Sequence, residues 1–196
     1  MSASVPSQPG MQQRSKIILK KIYEGLMKKP GGSPKRTGHR HNLPIAGSYL
    51  DQTSFDEFEC DILQIARLLF KAFDHPESFA WVNAFYFAEL KFHAPYGATI
   101  ANAILMSINA MRIARGSGFN YLDSNCQSCK KYITAEEMYF IGTLHNIRLK
   151  NRSAVKMNAM LLCQGSADIG FTEAMGRLAV ITGDYESNTQ ENFKSE

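Results

Sequence analysis

Apolar residues recur along most of this chain at the three- and four-residue spacing of an α-helix, and the alternation of a half-buried β-strand is nearly absent. The clearest apolar stripe consists of Phe55, Phe58, Ile62, Ile65, Leu69 and Phe73. Shorter helical segments follow, separated by the glycine, proline and polar residues that end helices. The pattern predicts an all-α fold, a single bundle-like domain of five or six helices. A chain of 196 residues is long enough to bury such a core.

Composition divides the chain into three parts. Residues 1–47 are predicted to be a basic, largely disordered arm and linker, with a short amphipathic helix expected at 15–29. Residues 48–183 are expected to form the helical domain, and residues 184–196 a disordered polar tail. The predicted organisation is therefore one folded domain with a flexible basic arm in front of it.

Local capping signals predict where several helices begin and end. Thr53 or Ser54 is expected to cap the first helix, because both have the side-chain oxygen that binds free backbone N–H groups. Thr134 and Glu137 have the spacing of a capping box, which places the start of the fourth helix at the next residue. Gly183 is expected to end the sixth helix.

The second predicted helix, which ends at about His93, is apolar on almost every side. Its large apolar residues are Phe79, Trp81, Val82, Phe85, Tyr86, Phe87, Leu90 and Phe92. A helix that is hydrophobic all round is usually buried. We therefore expect this helix to be central, with aromatic side chains that fill the core rather than line a ligand pocket.

The most specific motif is Cys126-Gln-Ser-Cys129, in the polar loop 123–131 before the fourth helix. Two thiols at this spacing can hold one metal ion or close a redox disulfide. A structural zinc ion needs four ligands, so Cys60 and Cys163 are the candidates that complete the site. The motif predicts a bound zinc ion that fixes the angle between the two helical halves of the domain.

Two other interpretations of the thiol pair stay open. Lys130, Lys131 and the start of the following helix would lower a thiol pKa, which favours a redox sensor or an oxidoreductase. Against this, the pair does not follow a strand in a βαβ unit, as thioredoxin-type motifs do. The simplest interpretation is that the two cysteines lie in an exposed loop and have no role.

Basic charge is concentrated in the N-terminal arm. Residues 1–45 carry nine basic residues and one acidic residue, although the net charge of the whole chain is only +4. Such an arm favours an anionic partner. The candidate contacts to nucleic acid or another anion are Lys20, Lys21, Lys35, Arg36 and Arg40. A transcriptional regulator that binds nucleic acid through the arm is therefore the alternative function, and a solvated tail without a partner is the simpler interpretation.

No catalytic arrangement of serine, histidine and acid can be identified from spacing alone, so we expect a regulatory or interaction (adaptor) protein and not an enzyme. The chain has no apolar run long enough to cross a membrane and no secretory signal, which predicts a cytoplasmic protein with a protein partner. Methionines suit a homo-oligomeric interface as well as a core; those of interest are Met138, Met157, Met160 and Met175. A second phosphate-contacting face is expected from Arg148, Lys150, Arg152 and Lys156.

Overall fold

The computed structural model describes residues 48–165 and 169–194, with side chains described as far as Ser187. Within these ranges the helices are α1 (Glu57–Asp74), α2 (Ala80–Phe92), α3 (Tyr96–Ala114), α4 (Ala135–Arg148), α5 (Arg152–Leu162) and α6 (Ile169–Lys194). The only strands in these ranges are β1 (Ser48–Tyr49) and β2 (Tyr132–Ile133). The all-α prediction is confirmed, and the expected helix at 15–29 lies outside the described residues. None of these helices is long and apolar enough to cross a membrane.

Helix α1 lies at the centre of the domain and contacts α2, α3 and α4. Its start is fixed by a capping box: the Asp56 carboxylate accepts a 2.8 Å bond from the Glu59 N–H, and the Glu59 carboxylate accepts a 3.1 Å bond from the Asp56 N–H. The prediction that Thr53 or Ser54 caps this helix is wrong. The N-cap is Asp56, two residues after Ser54, and its side chain accepts a hydrogen bond from a free N–H group of the first turn. The capping box predicted at the start of α4 is confirmed.

Helix α6 is longer than its sequence pattern predicts. The expected end at Gly183 is wrong, because the backbone remains helical as far as Lys194. The physical reason is the aromatic ring of Tyr185, which lies 5.4 Å from the ring of Phe92 and 5.5 Å from the ring of Tyr96. These contacts hold the helix against α2 and α3 beyond the glycine that was expected to end it.

Helix α2 packs through its small residues, in contrast to the sequence prediction. Ala80, Ala84 and Ala88 are spaced four residues apart and are buried. The exposed large apolar side chains on this helix and just before it are Phe79, Trp81, Val82 and Leu90. The expectation that α2 is central is therefore wrong: an alanine ridge lets its backbone approach the core closely, and most of its large side chains face outward or lie half-buried.

We expect the substitution Ala84→Leu to lower the free energy of unfolding by about 1–3 kcal/mol, because the added atoms have no room between α2 and the core. Ala84 is fully buried. The matched control is Val82→Ala on the exposed side of the same helix, which should change stability by about 0.5 kcal/mol or less. Urea unfolding followed by circular dichroism measures both, and a larger loss for Val82→Ala would contradict the inward orientation of the alanines.

Candidate functional sites: the thiol loop and the basic cleft

The thiol pair lies in the loop between α3 and β2. Strands β1 and β2 pair antiparallel, with Ser48 opposite Ile133 and Tyr49 opposite Tyr132. The end of the thiol loop is therefore held beside the segment that leads into α1. A short 3-10 turn, Cys129–Lys131, begins at the second cysteine and leads directly into β2.

The two cysteines of the pair contact each other but differ in environment. The backbone N–H of Cys129 donates a hydrogen bond to Cys126 Sγ at 3.4 Å. Cys126 is half-buried, whereas Cys129 is buried. Hydrogen bonds from the Cys129 side chain and backbone lower the pKa of the Cys126 thiol. Burial, followed by the hydrogen bond to Cys126, raises the pKa of Cys129 to about 11. The pair therefore consists of a half-buried cysteine whose thiol pKa is lowered and a buried cysteine whose thiol pKa is raised.

Beneath this loop, Arg67 and Glu137 form a buried ion pair. Arg67 Nε donates to Glu137 Oε1 at 2.7 Å, and Arg67 Nη2 donates to Glu137 Oε2 at 2.8 Å. Both side chains are fully buried. Arg67 Nη2 also donates to the carbonyl oxygen of Tyr132 at 2.6 Å, and Glu137 accepts bonds from the N–H groups of Leu122 at 3.0 Å and Thr134 at 2.9 Å. One ion pair thus anchors both ends of the thiol loop.

The amino-acid sequence does not reveal this ion pair, for two reasons. Glu137 is explained completely by its capping role, and Arg67 lies on the polar side of α1, which is typical of a solvent-facing residue. The sequence does contain one indication of the pair, a line of polar residues on α1 that continues to Lys71. Lys71 lies 3.4 Å from Asp123 in the thiol loop. The polar face of α1 therefore meets a polar loop rather than water, which accounts for the contacts of both Arg67 and Lys71.

The described residues do not provide a zinc site. Among them, no group of three or more His, Cys, Asp or Glu side chains is arranged to hold a metal ion. Cys60 is half-buried on α1, where burial raises its pKa, and Cys163 is buried at the end of α5 as part of the apolar core. The structure therefore brings together Cys126 and Cys129 but does not complete a ligand set with Cys60 or Cys163. Zinc binding by the whole chain stays a prediction.

A serine, histidine and carboxylate lie in line at the junction of α1 and α4. His145 Nε2 lies 3.4 Å from Ser54 Oγ, and His145 Nδ1 lies 3.0 Å from Glu59 Oε2. The Glu59 carboxylate also accepts a 2.6 Å bond from Arg148, which binds Asp56 at 2.8 Å as well. Because Arg148 already neutralises Glu59, we interpret the cluster as a junction that fixes the start of α1 against the end of α4. Residue spacing could not reveal it.

A second candidate site is an apolar cleft of about 530 Å³ where α4, α5 and the start of α6 meet. Its apolar lining consists of Ile147, Val155, Ala159 and Ile169. Three basic residues, Lys150, Arg152 and Lys156, also line it, together with Asn146 and Thr172. No acidic side chain from the described residues lines the cleft.

The charge on this cleft is available to a ligand. Lys150, Arg152 and Lys156 are exposed, and none forms an ion pair with an acid in the described parts of the chain. Arg148, which was expected to share this face, is instead bound to Asp56 and Glu59 and to Glu186 at 2.7 Å. Three of the four residues expected to form a basic face therefore do form one.

An apolar strip borders the cleft on the outer side of α5. Met157, Met160 and Leu161 follow the spacing of one helix face and are 57%, 39% and 50% exposed. Met160 lies one turn after Lys156, so the strip continues the basic rim. Of the other two methionines singled out from the sequence, Met175 is fully buried and Met138 packs against the core.

The candidate nucleic-acid contacts of the arm, Lys20, Lys21, Lys35, Arg36 and Arg40, lie outside the described residues. The prediction that they bind nucleic acid or another anion is therefore untested.

Comparison with protein-family models, with curated proteins and with solved structures finds no match to this chain. The case for a function therefore depends on the thiol loop and the basic cleft themselves.

Proposed function

We propose that this protein is a cytoplasmic interaction (adaptor) protein that binds an acidic, amphipathic helical segment of a partner protein in the cleft between α4, α5 and α6. The observation that supports this most directly is the combination of an apolar floor with Lys150, Arg152 and Lys156 at one edge. In this proposal the cleft acts by binding.

The chemistry of the cleft indicates what kind of partner fits it. An amphipathic helix places an apolar face into a hydrophobic groove, and its specificity comes from the charges around that groove. Here the rim is basic, so the complementary helix carries Asp and Glu beside its apolar face. Met157 and Met160 extend the contact surface, and methionine side chains adapt readily to the shape of a bound helix.

The alternative of a nucleic-acid ligand fits this cleft less well. Nucleic acids bind basic surfaces mainly through their phosphates, and such binding weakens steeply as salt is added. The apolar lining of Ile147, Val155, Ala159 and the exposed Ile169 contributes nothing to phosphate contacts. A nucleic-acid-binding transcriptional regulator that acts through the arm remains the alternative proposal.

The test is a selection of random peptides displayed on phage, with the full chain as bait and the variant Lys150→Glu/Lys156→Glu for counter-selection. The enriched peptides are expected to have apolar residues at helical spacing and a net negative charge. Their affinity for the charge-reversed variant, measured by fluorescence anisotropy, should fall about tenfold or more, because like charges then face each other.

Two further variants make this test specific. Ile169→Ser removes an apolar contact from the cleft and should weaken the same peptides, whereas Lys130→Glu/Lys131→Glu reverses exposed charges in the thiol loop and should not. Enrichment of peptides that bind all four proteins equally would contradict the proposal. Binding of duplex or single-stranded nucleic acid that is lost with the arm, and no enriched peptides, would support the alternative instead.

A further inference from the structure

We propose that Cys126 and Cys129 form a thiol–disulfide exchange site, in which Cys126 attacks a low-molecular-weight disulfide and Cys129 then closes an intramolecular disulfide. The site is separate from the basic cleft, and the inference does not rest on the proposed partner. Three features of the loop support it: the hydrogen bond from the Cys129 N–H to Cys126 Sγ, the unequal burial of the two cysteines, and a buried cation at the end of the loop.

Cys126 has the properties of an attacking thiol. Its sulfur accepts a hydrogen bond from the backbone N–H of Cys129 at 3.4 Å, and N–H donors stabilise a thiolate more than a thiol. Its half-buried position leaves part of the residue accessible to a small disulfide. Reactive cysteines are found in partly exposed environments of this kind.

Cys129 has the properties of a resolving thiol. It is buried, so an outside disulfide reaches it less easily than it reaches Cys126. The hydrogen bond between the two cysteines keeps its sulfur beside Cys126. The pair also has the two-residue spacing that lets a single turn bring two sulfurs together.

Arg67 is a buried cation at the end of the thiol loop. Its Nη2 atom donates to the carbonyl oxygen of Tyr132, three residues after Cys129, at 2.6 Å. Its Nη1 atom is buried and donates to no protein atom in the described part of the chain. This donor is therefore available to a neighbouring group when the thiol loop changes on oxidation.

The exchange has two balanced steps. In the first, the Cys126 thiolate attacks one sulfur of the small disulfide, a mixed disulfide forms, and a small thiolate leaves with the electron pair of the broken S–S bond. In the second, Cys129 releases its proton to water and attacks Cys126 Sγ, and a second small thiolate leaves. Two protein thiols are oxidised, one small disulfide is reduced, and the released protons are taken up by the leaving thiolates.

The experiment exposes the reduced full chain to oxidised glutathione and follows it by intact mass and peptide mapping. The wild type should lose two hydrogen atoms and contain a disulfide between Cys126 and Cys129. The variant Cys129→Ser should instead accumulate glutathione on Cys126, because no thiol resolves the mixed disulfide. The variant Cys126→Ser should react at about one tenth of the wild-type rate or below, since the remaining thiol of the pair is buried. The control Cys60→Ser should behave as the wild type does.

A second measurement on the unmodified chain keeps the test independent of any variant that fails to fold. Iodoacetamide added to the reduced native chain should alkylate Cys126 faster than Cys129, because Cys126 is half-buried and Cys129 is buried.

Three results would each overturn the proposal. One is equal reaction rates at the two cysteines of the native chain. Another is a glutathione adduct on the wild type that never resolves to a disulfide. The third is protein, purified without a histidine tag, that contains one zinc ion per chain with Cys126 and Cys129 protected, which would establish the predicted metal site instead.

Discussion

Replacing Arg67 with methionine is expected to lower the free energy of unfolding by about 3–5 kcal/mol, which is the usual cost of removing one partner from a buried ion pair. The substitution keeps most of the side-chain volume but leaves Glu137 fully buried without its positive partner. It also removes the donor to the Tyr132 carbonyl oxygen. Chemical denaturation followed by circular dichroism measures the loss.

Lys71→Met is the matched control for this prediction. Lys71 lies one turn further along α1 and reaches Asp123 in the same loop, but that pair is partly exposed and its atoms are 3.4 Å apart. Exposed pairs of this kind contribute about 1 kcal/mol or less. Similar losses for the two variants would show that burial does not set the strength of the Arg67 contact.

A second variant separates the charge from the packing. In Arg67→Met/Glu137→Gln the buried side chain that remains is neutral, and its amide oxygen can still accept a hydrogen bond from Leu122 or Thr134. The double variant should therefore lose less stability than the sum of the two single variants. Strict additivity would mean that the two residues do not act as a pair.

Replacing Gly97 with alanine is expected to destabilise the domain by about 3 kcal/mol, at the upper end of the cost of overpacking. A Cβ atom at this position would lie 2.6 Å from Glu89 Cα, 2.8 Å from Glu89 N and 2.9 Å from the carbonyl carbon of Ala88. All three are backbone atoms of α2, so no side chain can rotate to make room, and α2 and α3 must separate.

Gly176→Ala provides the opposite control within α6. A Cβ atom there meets nothing within 4 Å. Because alanine is the better helix former, this variant should gain about 0.5–1 kcal/mol. The melting temperature should therefore fall for Gly97→Ala and rise for Gly176→Ala. A loss for both would mean that helix α6 is not packed as described, and no loss for Gly97→Ala would contradict the close approach of α2 and α3.

Gly97 lies in Ala94-Pro-Tyr-Gly97, a segment with the proline and glycine that favour a break between helices. Helix α3 begins inside this segment, at Tyr96, with Gly97 in its first turn. The break is real, because the chain turns between α2 and α3. What the sequence could not reveal is that the glycine is needed for contact between two helices, since that depends on a neighbour eight residues away in the chain and adjacent in space.

In the thiol loop, too, the sequence reveals the local features but not the contacts between distant residues. The sequence located Cys126 and Cys129 and the capping box of Thr134 and Glu137, because these features lie within a few residues of each other. It did not predict that Glu137 would bind Arg67 on a helix 70 residues earlier. It also could not decide whether Cys60 and Cys163 approach the pair, and among the described residues no metal-binding group includes them.

The sequence by itself determined the helical class and the start of α4, because periodicity and capping are properties of one or two turns of backbone. Tertiary structure decided which side of α2 faces inward, which charge on α1 is buried, and which basic residues remain available beside the cleft. The physical reason is that a helix apolar on all sides, or a cation on a polar face, has no preferred environment until its neighbours are in place. In α2 the alanines face inward, because small side chains let two backbones approach most closely.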